Sequence, residues 1–135
     1  MTKEILQSYR SKKDEILELD WTLRHRWQDE GLIGNNVVFD YRKGYPRPQS
    51  VVGFDYDRYD RLQNRDNAKK ALLEQECEEI EEWVERIPDS LTRRIFRLTF
   101  IQGRKQKEVA KSVNLDRSRI SRRIDEYLSS QEKGE

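Results

Sequence analysis

Apolar positions along this chain fall into two stripes with helical spacing, separated by a stretch that has no period. Ile5, Tyr9, Ile16, Leu19, Leu23 and Trp27 recur at three, four or seven residues. That is the signature of a helix over about residues 2–30, with Thr2 or a neighbour as its cap and Gly31 just past its end. Leu62, Leu73, Ile80, Trp83, Val84 and Ile87 form the second stripe, over about residues 61–87, with sevenfold steps at 73, 80 and 87. Both stripes are narrow and bordered by charge, as on helices that pack against only one or two partners. The simplest arrangement is an antiparallel, coiled-coil-like pair of long helices.

Between the stripes, residues 31–60 break the period. Gly31, Gly34, Gly44, Gly53, Pro46 and Pro48 fall here, and "GYP" reads as a turn. Six rings (Phe39, Tyr41, Tyr45, Phe54, Tyr56, Tyr59) share the segment, and "NVVFDY" and "SVVGF" read as short strands or extended pieces. The expectation is an irregular Gly/Pro/Tyr-rich connection. Packing on the helical pair is its plainer role; a nucleic-acid contact, through rings alternating with Arg42, Lys43 and Arg47, is the sharper one.

Pro88 ends the second long helix, because its ring disfavours the helical conformation of the residue before it. Asp89 or Ser90 then caps a new one. The remainder reads as three helices. The first spans about Ser90–Ile101, with Leu91, Ile95, Leu98 and Phe96 or Phe100 inward, and Gly103 after it. The second runs from Gln106 to about Val113, with Val109, Ala110 and Val113 on one side. Asn114 supplies a residue tolerant of the left-handed turn. Asp116 caps the third helix, which buries Ile120, Ile124, Tyr127 and Leu128. Two short helices crossing through a tight turn, with a small residue at Ala110, make a helix-turn-helix. The expected fold class is therefore all-α, with a helical N-terminal region over 1–87, a helix-turn-helix domain over 88–130 and a tail at 131–135.

Composition agrees with long solvated helices: of 135 residues, 34% are apolar and 39% charged. Net charge is only +1, but its distribution is uneven. Residues 92–123 hold eleven Lys or Arg against two acids, whereas residues 74–89 hold eight acids and one base. Such asymmetry points to a polyanionic partner for the basic part. Cys77 is the single cysteine and His25 the single histidine, too few for a Cys/His zinc site. No catalytic Ser/His/Asp set, P-loop or GxGxxG occurs, so neither an enzyme nor a cofactor or metal is expected. Without a leader-like or membrane-spanning apolar run, a soluble protein with a cytoplasmic location is expected.

The third C-terminal helix carries the candidate chemistry. With Ile120, Ile124, Tyr127 and Leu128 turned inward, Arg117, Ser118, Ser121 and Arg122 are placed to read base edges. Arg104, Lys105, Lys107, Arg119 and Arg123 are placed for phosphates. No acid interrupts residues 117–124, unlike an ordinary solvated face with i,i+4 pairs.

The stretch "IPDSLTRRIFRLTFIQGRKQKEVAKSVNLDRSRISRRIDEYL" resembles region 4 of sigma-70-type factors, through "LTFIQG", "KEVAKSVNLDRSRI" and "RRIDEYL". The whole chain resembles the phage late transcriptional regulators of the RinA/ArpU-like group. That likeness covers about the last forty-five residues well and the first ninety only in layout, and Asn114 stands where the turn is usually Gly. The resemblance implies a phage- or prophage-encoded transcription activator that binds double-stranded DNA at a promoter. It also implies host RNA polymerase as a partner, and the N-terminal helices would supply a homodimer contact. Two other readings stay open: an adaptor that docks on RNA polymerase without reading bases, and a DNA-packaging or recombination accessory protein.

Overall fold

The computed structural model describes residues 1–40 and 47–133, and the chain is predominantly helical. Its elements are α1 (Lys3–Gln7), α2 (Tyr9–His25), two single 3-10 turns (Arg26–Gln28 and Glu30–Leu32), strands β1 (Ile33–Asp40) and β2 (Arg47–Phe54), then α3 (Tyr56–Glu85), α4 (Ser90–Phe96), a π-helical turn (Arg97–Ile101), α5 (Gln106–Val113) and α6 (Arg117–Lys133).

Several boundaries differ from the expected ones. The first helix does not run unbroken over 2–30. Thr2 caps α1, its hydroxyl accepting the Ile5 N–H at 3.2 Å. Ser8 then breaks the helix, donating its own hydroxyl to the Ile5 carbonyl at 2.6 Å. A short polar side chain that competes for backbone groups in this way disturbs a helix interior. Leu6 rather than Ile5 turns to the core: Leu6 is fully buried and Ile5 is 42% exposed. At the other end α2 stops at His25, and Trp27, expected on the stripe, is 60% exposed.

The described part of residues 31–60 is not an irregular segment. β1 and β2 form an antiparallel hairpin with Ile33 opposite Phe54 and Asp40 opposite Arg47. Val37, Val38, Val51 and Val52 supply the β-branched residues that suit a pleated backbone. The third helix starts at Tyr56, five residues earlier than read, because Asp55 caps it: its Oδ1 accepts the Arg58 N–H at 3.0 Å. The "GYP" turn, Tyr41, Arg42 and Lys43 lie outside the described residues.

The chain divides into two compact units, one of Met1–Ile16 with Leu72–Glu135, the other of Leu17–Ala71. The first unit thus joins α1 and the start of α2 to the end of α3 and all that follows, so its core is not confined to residues 88–130. Leu6 and Tyr9 share that core with Cys77, Ile80, Val84 and Ile87 of α3, with Ile95, Phe96 and Phe100, and with Val109, Val113, Ile120, Ile124 and Leu128. Phe96 is its centre. Its ring lies 5.6 Å from Trp83, 5.5 Å from Phe100 and 5.4 Å from Tyr127, in the tilted and edge-on arrangements that the ring quadrupoles favour. Tyr9 donates its hydroxyl to Glu81 at 2.6 Å, and Lys12 pairs with Glu76 at 2.6 Å. Burial and the Glu81 carboxylate push the Tyr9 phenol far above its usual range. Burial likewise raises the Cys77 thiol, leaving it protonated and unreactive at neutral pH.

α4 begins at Asp89, whose Oδ2 accepts both the Thr92 hydroxyl (2.7 Å) and the Thr92 N–H (3.0 Å). These bonds hold the Asp89 carboxyl below its ordinary value, with help from Arg123 and Arg93. The helix expected to continue to Ile101 changes after Phe96 into a π-helical turn, closed by Gln102 N–H on the Arg97 carbonyl at 2.9 Å. Gly103 follows with φ +64°. A Cβ there would stand 3.0 Å from the Arg10 guanidinium, so both backbone conformation and close approach require glycine.

In the second unit, α2 and α3 are joined by polar contacts. Lys70 reaches Asp20 at 3.0 Å. Arg26 and Asp66, only 6% and 4% exposed, form a buried ion pair. Arg26 also donates to Gln63 Oε1 at 2.7 Å, and the Gln63 amide donates to the Leu23 carbonyl at 3.1 Å. Arg65 completes the network, its Nε 2.9 Å from Asp66 Oδ1. Burial alone would raise the Asp66 carboxyl, but the hydrogen bonds and charges of Arg65 and Arg26 outweigh it and hold the group below its usual value. Phe54, at the end of β2, packs its ring against Tyr56 and Tyr59 of α3.

Candidate nucleic-acid interface

α5 is short and strongly two-sided: Val109, Ala110 and Val113 are buried, and Lys107 and Lys111 lie exposed. It ends on Asn114, which adopts the left-handed conformation (φ 57°, ψ 43°). The Asn114 and Leu115 N–H groups both bond the Ala110 carbonyl, which satisfies a helix-end acceptor that would otherwise be orphaned. Leu115 packs against the core. The Asp116 carbonyl accepts the Arg119 and Ile120 N–H groups at 3.0 and 3.1 Å, which opens α6.

Because a left-handed residue without glycine costs about 1–2 kcal/mol and Asn bears it better than Ala, Asn114→Ala should lose about 1 kcal/mol in urea unfolding while Asn114→Gly loses none. Equal stability of the Ala variant would mean the turn does not depend on this residue.

α6 turns Ile120, Ile124 and Leu128 inward, with Tyr127 half-buried beside them. Arg117, Ser118, Arg119 and Arg122 are exposed, and Ser121 is half-buried on the flank. A hollow of about 720 Å³ opens beside the turn, lined by Lys107, Lys111, Asn114, Asp116, Arg117 and Ser118 among others. Lys107, Arg117 and Ser118 are thereby brought together. Lys111 joins them although it was not singled out from sequence; its spacing of four from Lys107 on the outer face of α5 was the available signal.

The structure sorts the cations of this region by their partners. Arg97 forms a forked pair with Glu85, its nearest contact 2.8 Å. Arg93 donates to the Ile87 carbonyl at 2.8 Å, and Arg94 to the Ser112 carbonyl at 3.3 Å. Arg123 reaches Asp89 Oδ2 and Thr92 Oγ1, each at 3.3 Å, tying α6 to the cap of α4. Arg104 bonds Gln102 Oε1 at 2.8 Å, and Lys105 occupies the N-cap position of α5. Among the described residues, no ion pair engages Lys105, Lys107, Lys111, Arg117, Arg119 or Arg122. Six exposed cations without counter-charge, on α5, its cap and the first half of α6, form a positive surface.

Among the described residues, no cluster of three His, Cys, Asp or Glu could hold a metal ion, and no helix is long and apolar enough to cross a membrane. No family model, curated protein or solved structure matches this chain.

Proposed function

We propose that this chain is a sequence-specific DNA-binding transcriptional regulator, phage- or prophage-encoded, that acts at a promoter. In this reading α5 and α6 are a helix-turn-helix of the sigma region 4 kind. α6 enters the major groove with Arg117, Ser118, Ser121 and Arg122 toward base edges, where Arg gives guanine a bidentate pair. Arg104, Lys105, Lys107 and Arg119 hold phosphates, and Lys111 joins this set. Arg123 is assigned to holding α6 on α4, since its guanidinium is already bound to Asp89 and Thr92. The antiparallel long helices serve a homodimer contact or RNA polymerase. The observation that carries the reading is the set of unpaired cations around a turn whose inner side is fully packed.

Arg122→Ala should cost roughly 1–3 kcal/mol at the cognate site and far less on random DNA, whereas Lys107→Ala should weaken both alike and reduce the salt dependence by about one counterion. Bound-DNA sequencing from the host supplies the site, and binding isotherms at several salt concentrations supply the rest. Equal losses for Arg122→Ala on both DNAs would remove base reading. Negligible DNA binding together with capture of RNA polymerase would replace the proposal with the adaptor.

A further inference from the structure

A cleft of about 590 Å³ opens within the Leu17–Ala71 unit, between the end of α2 and the first half of α3. One wall carries Trp21 and His25. The other carries Arg58, Leu62 and Arg65, spaced i, i+4 and i+7 on one face of α3. Arg26 and Asp29 also line it. None of these residues belongs to the candidate nucleic-acid interface, and the volume suits a small organic molecule.

The arginines differ in what they leave unengaged. A guanidinium has five N–H donors. Arg58 commits one, from Nη1 to the Gly31 carbonyl at 3.2 Å, and its others have no acceptor among the described residues. Arg65 turns Nε and Nη2 to Asp66 at 2.9 and 3.4 Å, which leaves Nη1 without an acceptor among the described residues. Arg26 is held by Asp66 and Gln63. Three guanidiniums against the carboxylates of Asp29 and Asp66 leave one positive charge unbalanced, on the two exposed arginines of α3.

The opposite wall offers a ring. One face of Trp21 lies on the His25 ring, with centroids 4.5 Å apart and planes at 23°. His25 is itself fixed, its Nδ1 2.8 Å from the Trp21 carbonyl, so the indole is braced from behind. The residue is 63% exposed, and its other face is open. Asp29 accepts the Gly31 N–H on Oδ1 at 2.9 Å, and its Oδ2 has no partner among the described residues. A carboxylate takes only donors. A ligand of this cleft therefore carries a flat ring, a negative charge, and hydroxyl or amino groups.

We propose that the cleft binds a nucleoside monophosphate, with its base on the open face of Trp21, its phosphate between Arg58 and Arg65, and its ribose hydroxyls on Asp29. Simpler ligands leave parts of the site unused. Inorganic phosphate neither stacks nor fills the volume, and an aromatic carboxylate brings no donor for Asp29. One unbalanced positive charge suits a monophosphate rather than the more highly charged polyphosphates. Every base has a face to stack, so the site selects the class and not the base. The proposal is independent of DNA binding by α6.

Proton–nitrogen NMR of the full-length chain, titrated with adenosine monophosphate, reads the indole N–H groups directly. The Trp21 signal, assigned by its loss in Trp21→Phe, should shift and saturate with a Kd of about 10–1000 µM, as a ligand of this size in an open cleft allows. The signal of Trp83, in the core of the other unit, should stay in place. Adenosine should bind about tenfold more weakly or worse, since it lacks the charge-assisted bonds to the arginines; this comparison needs no variant. Arg58→Gln should weaken the nucleotide about tenfold, Arg58→Lys less, and neither should change adenosine binding or helical circular dichroism. A Trp21 signal that stays fixed up to about 5 mM nucleotide, adenosine that binds as well as its phosphate, or binding that survives Arg58→Gln overturns the inference. Tighter binding of adenosine triphosphate overturns the assignment to a monophosphate. A single-stranded oligodeoxyadenylate that shifts Trp21 where the free nucleotide does not overturns the small-molecule assignment. Duplex binding is measured separately, and its failure removes the proposed function alone.

Discussion

Asp66→Ala should lower the stability of the residue 17–71 unit by about 3–5 kcal/mol, the penalty for removing one partner of a buried ion pair. The cost comes from what is left behind. Arg26 is 6% exposed, and without Asp66 its charge retains, among the described residues, only Gln63 as a side-chain partner. Arg26→Met should cost less, because Arg65 still donates to the Asp66 carboxylate at 2.9 Å from the solvent side. The double replacement Arg26→Met with Asp66→Leu should recover most of the loss, since a well-packed apolar pair needs no compensation for desolvation. Guanidinium unfolding of the three variants checks the order, and an Asp66→Ala loss under 1 kcal/mol would show that the pair is not buried in solution.

The same group fixes an acid limb. The folded Asp66 carboxyl titrates below its unfolded value, so its stabilisation is complete above the unfolded value of about 3.9 and is lost as pH falls through the folded one. The stability difference between wild type and Asp66→Asn should be constant from neutral pH down to about pH 5 and shrink below about pH 4. A difference that shrinks on raising the pH instead would mean the carboxyl is held protonated.

Phe96→Ala should be as damaging to the other unit, costing about 3–5 kcal/mol through lost transfer energy and the cavity left behind. Phe96 is fully buried, and three rings lean on it from α3, the π-helical turn and α6. Losing it should release Trp83 and Tyr127 together, so the midpoint of urea unfolding falls while near-ultraviolet circular dichroism weakens even before unfolding. Phe96→Leu should retain more than half of the lost stability. A Phe96→Ala protein with an unchanged midpoint would contradict a single core shared by α3, α4 and α6.

Much of this unit was legible locally. The steps Leu73, Ile80, Val84, Ile87 are buried as their period requires, and Cys77 falls in register with them. Asp66 lies seven residues before Leu73 on the same stripe, a position where a carboxylate is buried only if a cation from elsewhere meets it. That cation, Arg26, is forty residues away in the chain, and nothing in the local spacing of either residue announces the pair. The hairpin was half visible as two valine-bearing runs. Their register, Ile33 to Phe54, is set by pairing between strands rather than by either strand alone. The interruption at Ser8 is a single residue whose backbone stays near-helical (φ −77°, ψ −12°), so it leaves no gap in the apolar pattern.

At the candidate interface the division is sharper. Local chemistry alone determined that Gln106–Val113 is a short two-sided helix, that Asn114 takes the left-handed turn and that Ile120, Ile124 and Leu128 face inward, because caps, backbone conformations and side-chain phase act within a few residues of one another. Only tertiary packing decided which cations are available. Arg97 finds Glu85 twelve residues back and Arg123 finds Asp89 thirty-four back, while Arg117, Arg119 and Arg122 on the same basic stretch find no carboxylate among the described residues. A guanidinium spends its donors on whatever acceptors the fold brings within about 3 Å, and in a chain with nearly equal numbers of acids and bases that choice is made in three dimensions.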